Sequence, residues 1–289
     1  MMTQQFSFQA TENNGMLYLV PTPIGNLEDI TFRAVRILQE AEYILAEDTR
    51  QTKKLTQHYQ IDTPLESYHE HNKRQKQEKI LQWLTEGKQV AIVSDAGTPL
   101  VSDPGDELVQ KCIVQGIPVV PLPGASALLP ALTASGLGGG GFYFHGFLPR
   151  KKKEIRTVLQ KLPSGVPIVL YESPYRLLGT IHFLHEEWGD VPAVVARELT
   201  KKYEEFVRGT LLEAAAAFED RDIKGECVLI AEKPVSDESG EEDHGPMEEE
   251  VRKYVEAGTS SKEAIKKTAQ RRNVKKQEVY AAYHGLNKS

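Results

Sequence analysis

Two features of the sequence predict an α/β fold with two domains and a small helical module. From Met16 to about residue 234, short apolar runs alternate with longer helical patterns, which is typical of βαβ units and a mostly parallel sheet. After that point the chain carries a run of acidic residues and then a basic segment. Its 289 residues, 40% of them hydrophobic, suffice for two packed cores and an appendage.

The first domain is predicted to be a parallel sheet whose strands alternate with helices. Helices are expected at 31–40, around Thr52, around Lys79 and from Gly105 onward, where two acidic residues fill the first turn. The strands are expected at 17–20, 43–46, 90–94 and 118–121.

A second set of strands follows a helix of small residues at 125–135. We place these strands at 142–144, 168–171, 193–196 and 227–230, and the domain boundary near residue 122. The complete division has a loose tail at 1–14, a first α/β domain at 15–122, a second at 123–234, an acidic linker at 235–245 and a basic helical module at 246–289.

Composition argues against several classes of protein. No secretory signal opens the chain, and Cys112 and Cys227 stand alone, which favours a cytoplasmic protein without a metal site. The uncharged stretch 112–149 is long enough to cross a bilayer, but four prolines and four consecutive glycines interrupt it, so we expect the wall of a pocket and no membrane span. The phosphate-binding pattern G-x-x-x-x-G-K-[ST] does not occur, and the glycine cluster 136–141 precedes a predicted strand instead of following one, which argues against a dinucleotide-binding loop.

The net charge is −6, but the charged residues are distributed unevenly along the chain. Residues 235–250 carry eight acidic and no basic side chains, whereas residues 251–289 carry ten Lys or Arg against three Glu. This asymmetry predicts a basic module on an acidic tether, and such a module is suited to RNA.

The loop 93–105 is the strongest candidate for a ligand site. It follows the apolar run 90–93, holds Asp95 and Asp103 among glycines and prolines, and ends at a predicted helix. In open α/β sheets, ligands bind at the carboxyl ends of strands. A tight structural turn is the alternative, although it explains one Gly-Pro pair better than two successive turns that contain aspartate.

Four more turns with unusual side chains follow predicted strands, and they fit either a shared cleft or ordinary surface capping. In order along the chain, the sequence contains the motifs Pro-Thr-Pro-Ile-Gly-Asn (21–26), Ala-Glu-Asp-Thr-Arg (46–50), Ser-Asp-Ala-Gly-Thr-Pro (94–99), Ser-Asp-Pro-Gly (102–105), Pro-Gly-Ala-Ser-Ala (123–127), Gly-Phe-Leu-Pro-Arg (146–150), Tyr-Glu-Ser-Pro-Tyr-Arg (171–176) and Arg-Glu-Leu-Thr-Lys (197–201).

This set of motifs resembles the tetrapyrrole methylase superfamily, and within it the bacterial 16S ribosomal RNA (cytidine-2′-O)-methyltransferases of type I. The resemblance runs from about residue 15 to 234, and the tail from 246 resembles a small helical module that many members carry. It implies the two-domain class III methyltransferase fold, S-adenosylmethionine held between the domains, and a homodimer. It further implies 2′-O-methylation of a cytidine ribose in the decoding centre of the small ribosomal subunit.

The resemblance also implies which residues meet the cofactor. Asp95, Ala96 and Gly97 match the loop at its methionine portion. Ser126 and Ala127 match the helix start near its adenosine portion. The opposite wall corresponds to Tyr171, Glu172, Thr200, Gly225 and Glu226.

A ribose hydroxyl is a weak acid, so a base or cation beside it is expected to assist methyl transfer. Lys201, with Glu172 and Glu198 as partners, is our candidate, because a lysine desolvated in a cleft loses its proton more readily. A plain salt bridge among these residues fits equally well, and the sequence does not select the base.

Basic and polar residues in or beside the motifs are candidates for phosphate contacts. A solvated turn is the alternative at Lys151, which opens a predicted helix. In the tail, a capping box at Ser260, a turn at 271–273 and a helix at 275–283 predict a helix-turn-helix-like unit. The candidates are Asn26, Arg50, His71, Arg150, Lys151, Arg176, Lys266, Lys267, Arg271, Arg272, Lys275 and Lys276.

Two rival functions stay open at this point. One is methylation of a tetrapyrrole or another small molecule, which the basic tail and the run Lys151 to Lys153 disfavour. The other is RNA binding without catalysis, which predicts a damaged cofactor loop, whereas 93–105 keeps the features that a ligand needs.

Overall fold

The computed structural model describes residues 4–5, 15–235, 246–272 and 274–286. Most of the predicted tail at 1–14 and linker at 235–245 therefore lies outside the described residues, as does Asn273 in the predicted turn. The chain forms two compact units, residues 1–234 and 235–289. A finer division of the first unit near residue 122 stays a prediction.

The first sheet is entirely parallel, where a mostly parallel sheet was predicted, and has the strand order β3-β2-β4-β1-β5, in which β3 was not predicted. Its strands are β1 (Met16–Val20), β2 (Tyr43–Ala46), β3 (Leu65–Ser67), β4 (Gln89–Val93) and β5 (Val119–Pro121). The helices between them are α1 (Phe32–Glu40), α2 (Thr49–His58), α3 (Lys73–Thr85) and α4 (Asp106–Val114).

Both faces of this sheet are buried at its central strands, which explains why β1, β2 and β4 are largely apolar. Val90 and Ile92 of β4 pack in a core with Ile80 of α3, while Ala91 and Val93 belong to a second core. Because β4 lies beside β1, the turns that follow these two strands are neighbours at the carboxyl edge of the sheet.

The second sheet has the order β6-β7-β10-β8-β9 and is mostly antiparallel; only β6 and β7 run parallel. The α/β class is confirmed, whereas β9 was not predicted. The strands are β6 (Tyr143–Phe147), β7 (Pro167–Glu172), β8 (Pro192–Arg197), β9 (Glu205–Thr210) and β10 (Cys227–Glu232). The helices are α5 (Leu128–Ser135), α6 (Lys152–Lys161), α7 (Pro174–Trp188) and α8 (Leu211–Phe218).

One face of the second sheet packs against α6, α7 and α8 around residues such as Leu177 and Phe218. The other face forms a core with α5, and this core includes Ile24 from the turn after β1. The turns of the first sheet therefore reach the inner face of the second sheet, where the site lies.

The C-terminal unit contains three helices: α9 (Met247–Glu256), α10 (Ser261–Arg271) and α11 (Lys276–Tyr283). They pack around Val251, Ala264, Ile265 and Val279. The helices α10 and α11 agree with the predicted helix-turn-helix-like pattern. The helix α9 was not predicted, because its first turn consists of the acidic residues that we assigned to the tether.

Candidate functional site

A cleft of about 380 Å³ lies where the loop after β4, the start of α5 and the ends of β7 and β10 meet. It is therefore large enough for a small organic ligand. Most of the predicted cofactor-binding residues line it, namely Asp95, Ala96, Gly97, Ser126, Ala127, Tyr171, Gly225 and Glu226.

Thr200 is the predicted cofactor residue that the cleft lining leaves out. Its backbone N–H donates to the Glu204 carboxylate at 2.7 Å, in the turn between β8 and β9. Sequence reasoning missed several lining residues, among them Ser102, Asp103 and Phe147. Asp103 lies in the motif Ser-Asp-Pro-Gly and Phe147 in the motif Gly-Phe-Leu-Pro-Arg, but neither motif indicates which of its residues face the cleft.

The loop after β4 is tied to the turn after β1 by an isolated bridge between Thr22 and Gly97. The Ser94 hydroxyl donates to the Gly97 carbonyl at 2.9 Å, and the Thr22 hydroxyl donates to the Ser94 carbonyl at 3.0 Å. Gly97 has φ 86°, in the left-handed region that favours glycine. These bonds hold the Asp95 to Gly97 segment in a fixed conformation at the edge of the cleft.

The second half of the loop adopts a strained backbone. Leu100 and Ser102 have φ values of 70° and 73°, which are uncommon for residues with a side chain. Such conformations persist where the surroundings enforce them, and they occur often at binding sites. Here they place Asp103 on the cleft wall.

Four carboxylates line the cleft, from Asp95, Asp103, Glu172 and Glu226, and no Lys, Arg or His of the described chain belongs to its lining. Burial raises the pKa of Asp103 to about 6, and the nearby Glu47 and Asp95 carboxylates add to the effect. Burial, and then Asp95, also raises the pKa of Glu47. The concentration of negative charge fits a ligand that carries positive charge.

Aromatic and hydroxyl groups also line the cleft. Burial raises the pKa of Tyr171, while hydrogen bonds with Ser126 and the Leu128 backbone act in the other direction. The Tyr171 ring also meets Phe144 and Phe147 edge-on, with centroids 4.9 and 5.8 Å apart. The tyrosine therefore connects β7 to the start of α5.

Glu172 is 3% exposed and holds the beginning of α7. One carboxylate oxygen accepts from the Ser173 backbone at 2.8 Å, and the other accepts from the Thr180 hydroxyl at 2.7 Å. Arg176 lies 3.4 Å from the same carboxylate and also donates to the Pro149 carbonyl. The predicted pairing of Glu172 with Lys201 is therefore wrong, because Glu172 is engaged within its own turn.

Lys201 pairs with Glu198 at 2.8 Å and with Glu226 at 3.0 Å. Burial acts to lower the pKa of Lys201, but the two carboxylates outweigh it and raise the pKa overall. Burial likewise opposes ionisation of Glu198, yet hydrogen bonds from Lys201 and the Glu226 backbone lower its pKa. The idea that desolvation frees Lys201 of its proton is corrected: the lysine is held as a cation.

The structure places the predicted RNA-contacting residues in different settings. The Arg50 side chain is 88% exposed and pairs with Asp48, and Lys151 is exposed beside Glu154. Asn26 caps a short 3-10 turn at residues 27–29. Arg176 is largely occupied by the backbone carbonyls of Leu148 and Pro149. His71 and Arg150 are exposed.

In the C-terminal unit, four of the predicted basic residues are exposed, and one is not. Arg272 and Glu250 form a buried ion pair at 2.6 Å, with side-chain exposures of 11% and 10%. Arg272 therefore stabilises the three-helix unit, which corrects its assignment to an RNA surface. The side chain of Arg271 lies outside the described residues. The exposed residues are Lys266, Lys267, Lys275 and Lys276.

The described part of the chain contains no group of three His, Cys, Asp or Glu side chains suited to a metal ion. Among the same residues, no helix is both long enough and apolar enough to cross a membrane.

Comparison with known proteins gives the family. The model for tetrapyrrole (corrin/porphyrin) methylases matches residues 16–215. The chain belongs to the tetrapyrrole methylase family. The family expected from the motifs is thereby confirmed.

Similar members of the family include proteins named ribosomal RNA small subunit methyltransferase I. The protein of that name from Bacillus subtilis (strain 168) is 50% identical over 289 residues, which cover 98% of this chain and 99% of the relative. The one from Halalkalibacterium halodurans is also 50% identical, with the same coverage. The one from Streptococcus pyogenes serotype M3 is 43% identical over 287 residues, with 99% and 100% coverage.

Solved structures of other proteins share the fold. A diphthine synthase superposes with a TM-score of 0.58 at 12% identity, covering 76% of this chain and 90% of that chain. The uroporphyrin-III C-methyltransferase from Thermus thermophilus, complexed with S-adenyl homocysteine, superposes with a TM-score of 0.53 at 21% identity, covering 76% and 98%. The predicted class III fold is confirmed.

Proposed function

We propose that this chain is an S-adenosylmethionine-dependent methyltransferase that methylates the 2′-hydroxyl of a cytidine in the decoding centre of small-subunit ribosomal RNA. Relatives with 50% identity over nearly the whole chain carry the name ribosomal RNA small subunit methyltransferase I. The geometric observation that carries the proposal is the cleft lined by four carboxylates and by no basic side chain of the described chain.

The cleft residues fit S-adenosylmethionine, whose sulfonium and ammonium groups are cations. Asp95 and Asp103 supply negative charge to the cleft lining, and the hydroxyls of Ser126 and Tyr171 supply hydrogen-bonding groups. When bound, this cofactor supplies an electrophilic methyl group, and its transfer to a ribose oxygen requires that the hydroxyl lose its proton. The rigid loop at 94–97 would hold the reacting groups in line, which is a large part of catalysis.

Lys201 would act on the acceptor hydroxyl as a cation. Its ammonium group, kept protonated by Glu198 and Glu226, favours the ionised form of a hydroxyl placed beside it. Glu198 would then be a positioning residue that orients Lys201.

RNA would be held by basic groups outside the cleft. Arg50, Arg150 and Lys151 are exposed on the first unit. We assign the exposed lysines of the C-terminal unit, Lys266, Lys267, Lys275 and Lys276, to phosphate contacts as well. A homodimer, and action in the cytoplasm where ribosomes are made, complete the proposal.

The test is mass analysis of small-subunit ribosomal RNA from a strain that lacks this protein. The proposal expects the loss of one ribose methyl group and its return when the intact gene is restored. Unchanged ribosomal RNA together with an altered tetrapyrrole pool would favour a small-molecule methylase. RNA binding without measurable affinity for S-adenosylmethionine would favour a binding protein without catalysis.

A further inference from the structure

A second cavity, of about 210 Å³, adjoins the cleft at the carboxyl ends of β1 and β4. Asp95 lines both cavities. Thr22 of the second cavity exchanges backbone hydrogen bonds with Gly97 of the cleft. The two spaces therefore share one wall and one carboxylate.

The second cavity combines a small apolar surface with a few polar groups. Pro23, Leu27 and Leu55 provide the apolar part. The hydroxyls of Thr22, Thr52 and Ser94 also lie in its wall, but all three already donate to backbone carbonyls. The groups that remain to meet a ligand are on Gln51, Lys54 and Asp95.

Gln51 and Lys54 are arranged as donors. The Lys54 ammonium donates to the side-chain carbonyl oxygen of Gln51 at 3.0 Å, which leaves the Gln51 amide nitrogen and the other ammonium protons for acceptor atoms. One oxygen of the Asp95 carboxylate accepts from the Asp48 backbone N–H at 3.1 Å. The second Asp95 oxygen has no hydrogen-bond partner among the described residues, so it is placed to accept from a hydroxyl.

We propose that this second cavity binds the acceptor nucleotide, with a pyrimidine base against Pro23 and Leu27. Its ribose hydroxyl faces Asp95. The neighbouring O2 and N3 acceptors of cytosine match the donors of Gln51 and Lys54, whereas uracil carries a donor at N3. The assignment rests on the proposed function and adds the position of the acceptor, because a methyl donor and its acceptor need adjoining sites.

The stem of Lys201 adds to this arrangement. Gly25 lines the second cavity, and a Cβ on Gly25 would lie 2.4 Å from Cγ of Lys201. The absence of a side chain at Gly25 therefore lets Lys201 pack against the rim of the cavity. A cation argued to act on the acceptor hydroxyl thus lies beside the space assigned to the acceptor.

The first experiment compares adjacent lysines of α2. Lys54 lines the cavity, whereas Lys53 is exposed and lies outside the lining. We expect Lys54→Ala and Gln51→Ala each to lower kcat/KM for unmethylated small subunits roughly tenfold, the effect of one lost hydrogen bond. Lys53→Ala should stay within about twofold of the wild type, and calorimetry should give all three variants the wild-type affinity for S-adenosylmethionine.

Equal losses of kcat/KM in the Lys53 and Lys54 variants would show that positive charge attracts RNA in a general way. Such a result would overturn the assignment of the second cavity to the acceptor nucleotide. So would an unaffected Gln51→Ala variant. If the wild-type protein methylates no small subunits, the proposed function fails. If the wild-type protein methylates small subunits and the α2 variants all have the same kcat/KM, the proposed function stands and only the proposed position of the acceptor is wrong.

A second experiment does not depend on turnover. An RNA fragment that carries 5-iodocytidine at the methylated position is bound to the full-length protein. The complex is irradiated, and the crosslinked peptide is identified by mass spectrometry. The assignment expects attachment within residues 22–27 or 51–55. Attachment elsewhere, or a fragment that binds without crosslinking to either segment, would contradict it.

Discussion

Thr22 and Gly97 exchange two backbone hydrogen bonds: the Thr22 N–H donates to the Gly97 carbonyl at 2.9 Å, and the Gly97 N–H donates to the Thr22 carbonyl at 2.8 Å. This bridge joins the turns after β1 and β4. Gly97 faces the cleft that we assign to the cofactor, and Thr22 faces the cavity that we assign to the acceptor. A disturbance at this bridge should therefore affect both sites.

Gly97→Ala tests the bridge. Gly97 has φ 86°, so an alanine there is strained by about 1–2 kcal/mol. We expect a lower melting temperature and weaker binding of S-adenosylmethionine by calorimetry. Gly116→Ala is the matched control, because Gly116 has φ 71° and open space around its Cβ position at the end of α4. Gly116→Ala should lower the melting temperature similarly but leave the affinity for S-adenosylmethionine unchanged. Equal losses of affinity in the two variants would contradict a local role of Gly97.

Asp95→Ala should weaken S-adenosylmethionine binding. Each hydrogen bond to a charged group that it removes is worth about 1.5–3 kcal/mol. Calorimetry measures the change, and Asp220→Ala, at an exposed carboxylate after α8, controls for a general loss of negative charge. Wild-type affinity in Asp95→Ala would remove this residue from the site.

Lys201→Met should reduce the single-turnover rate of methyl transfer while the affinity for the cofactor stays close to that of the wild type. The expected cause is loss of the cation held by Glu198 and Glu226. Lys202→Met, at the exposed neighbouring position, should keep its rate. A normal single-turnover rate in Lys201→Met would reject the assignment.

The raised pKa of Asp103 makes the stability of the folded protein depend on pH. Its pKa rises from 3.8 to about 6 on folding, so the folded protein binds the proton more tightly than the unfolded chain does. By binding this proton, Asp103 contributes to the free energy of unfolding. That contribution is therefore fully present below pH 3.8 and is lost as the pH rises through 6. Asp103→Asn should stabilise the ligand-free protein at pH 8 by about 1–2 kcal/mol, after allowance for solvent screening of a partly exposed group.

Urea unfolding at several pH values measures this effect. The gain in Asp103→Asn should shrink as the pH falls below 6, and Asp222→Asn, at an exposed carboxylate, should show no such gain. A variant that is less stable than the wild type at pH 8 would mean that Asp103 is stabilised as an anion, contrary to its surroundings.

The C-terminal unit should contribute to RNA binding in a salt-dependent manner. Replacing Lys266 and Lys267 by Gln should raise KM for small subunits and reduce the salt dependence of binding, because each phosphate contact releases counterions. Deletion of residues 246–289 should have a larger effect of the same kind, with unchanged affinity for S-adenosylmethionine. A truncation that lowers the melting temperature or dissociates a dimer but keeps the salt slope would indicate a structural role instead.

The parallel sheet could be predicted from the sequence because its strands are buried on both faces. The run at Val90 to Val93 is apolar throughout and is followed by turn residues, so periodicity and turn chemistry agree. In contrast, β3 has three half-buried residues, and β9 is an edge strand with no fully buried residue. Short or edge strands of this kind carry a weak hydrophobic signal.

Strand direction in the second sheet could not be predicted, because it depends on the reversal between β8 and β9. That turn contains Glu198 and Thr200 with φ values of 53° and 68°, which neither residue type signals. For the site, motifs identified most of the residues that line the cleft. They did not identify the partners of Glu172 or Arg272, since those contacts depend on packing.

Ribose methylation can be reconstituted by mixing the purified protein with S-adenosylmethionine and small ribosomal subunits from the deletion strain. We expect one additional methyl group on the ribose of a single cytidine, detected by mass spectrometry of nuclease fragments and by resistance of that linkage to alkali. Unmodified RNA, or a methyl group on a base instead of a ribose, would contradict the proposed function.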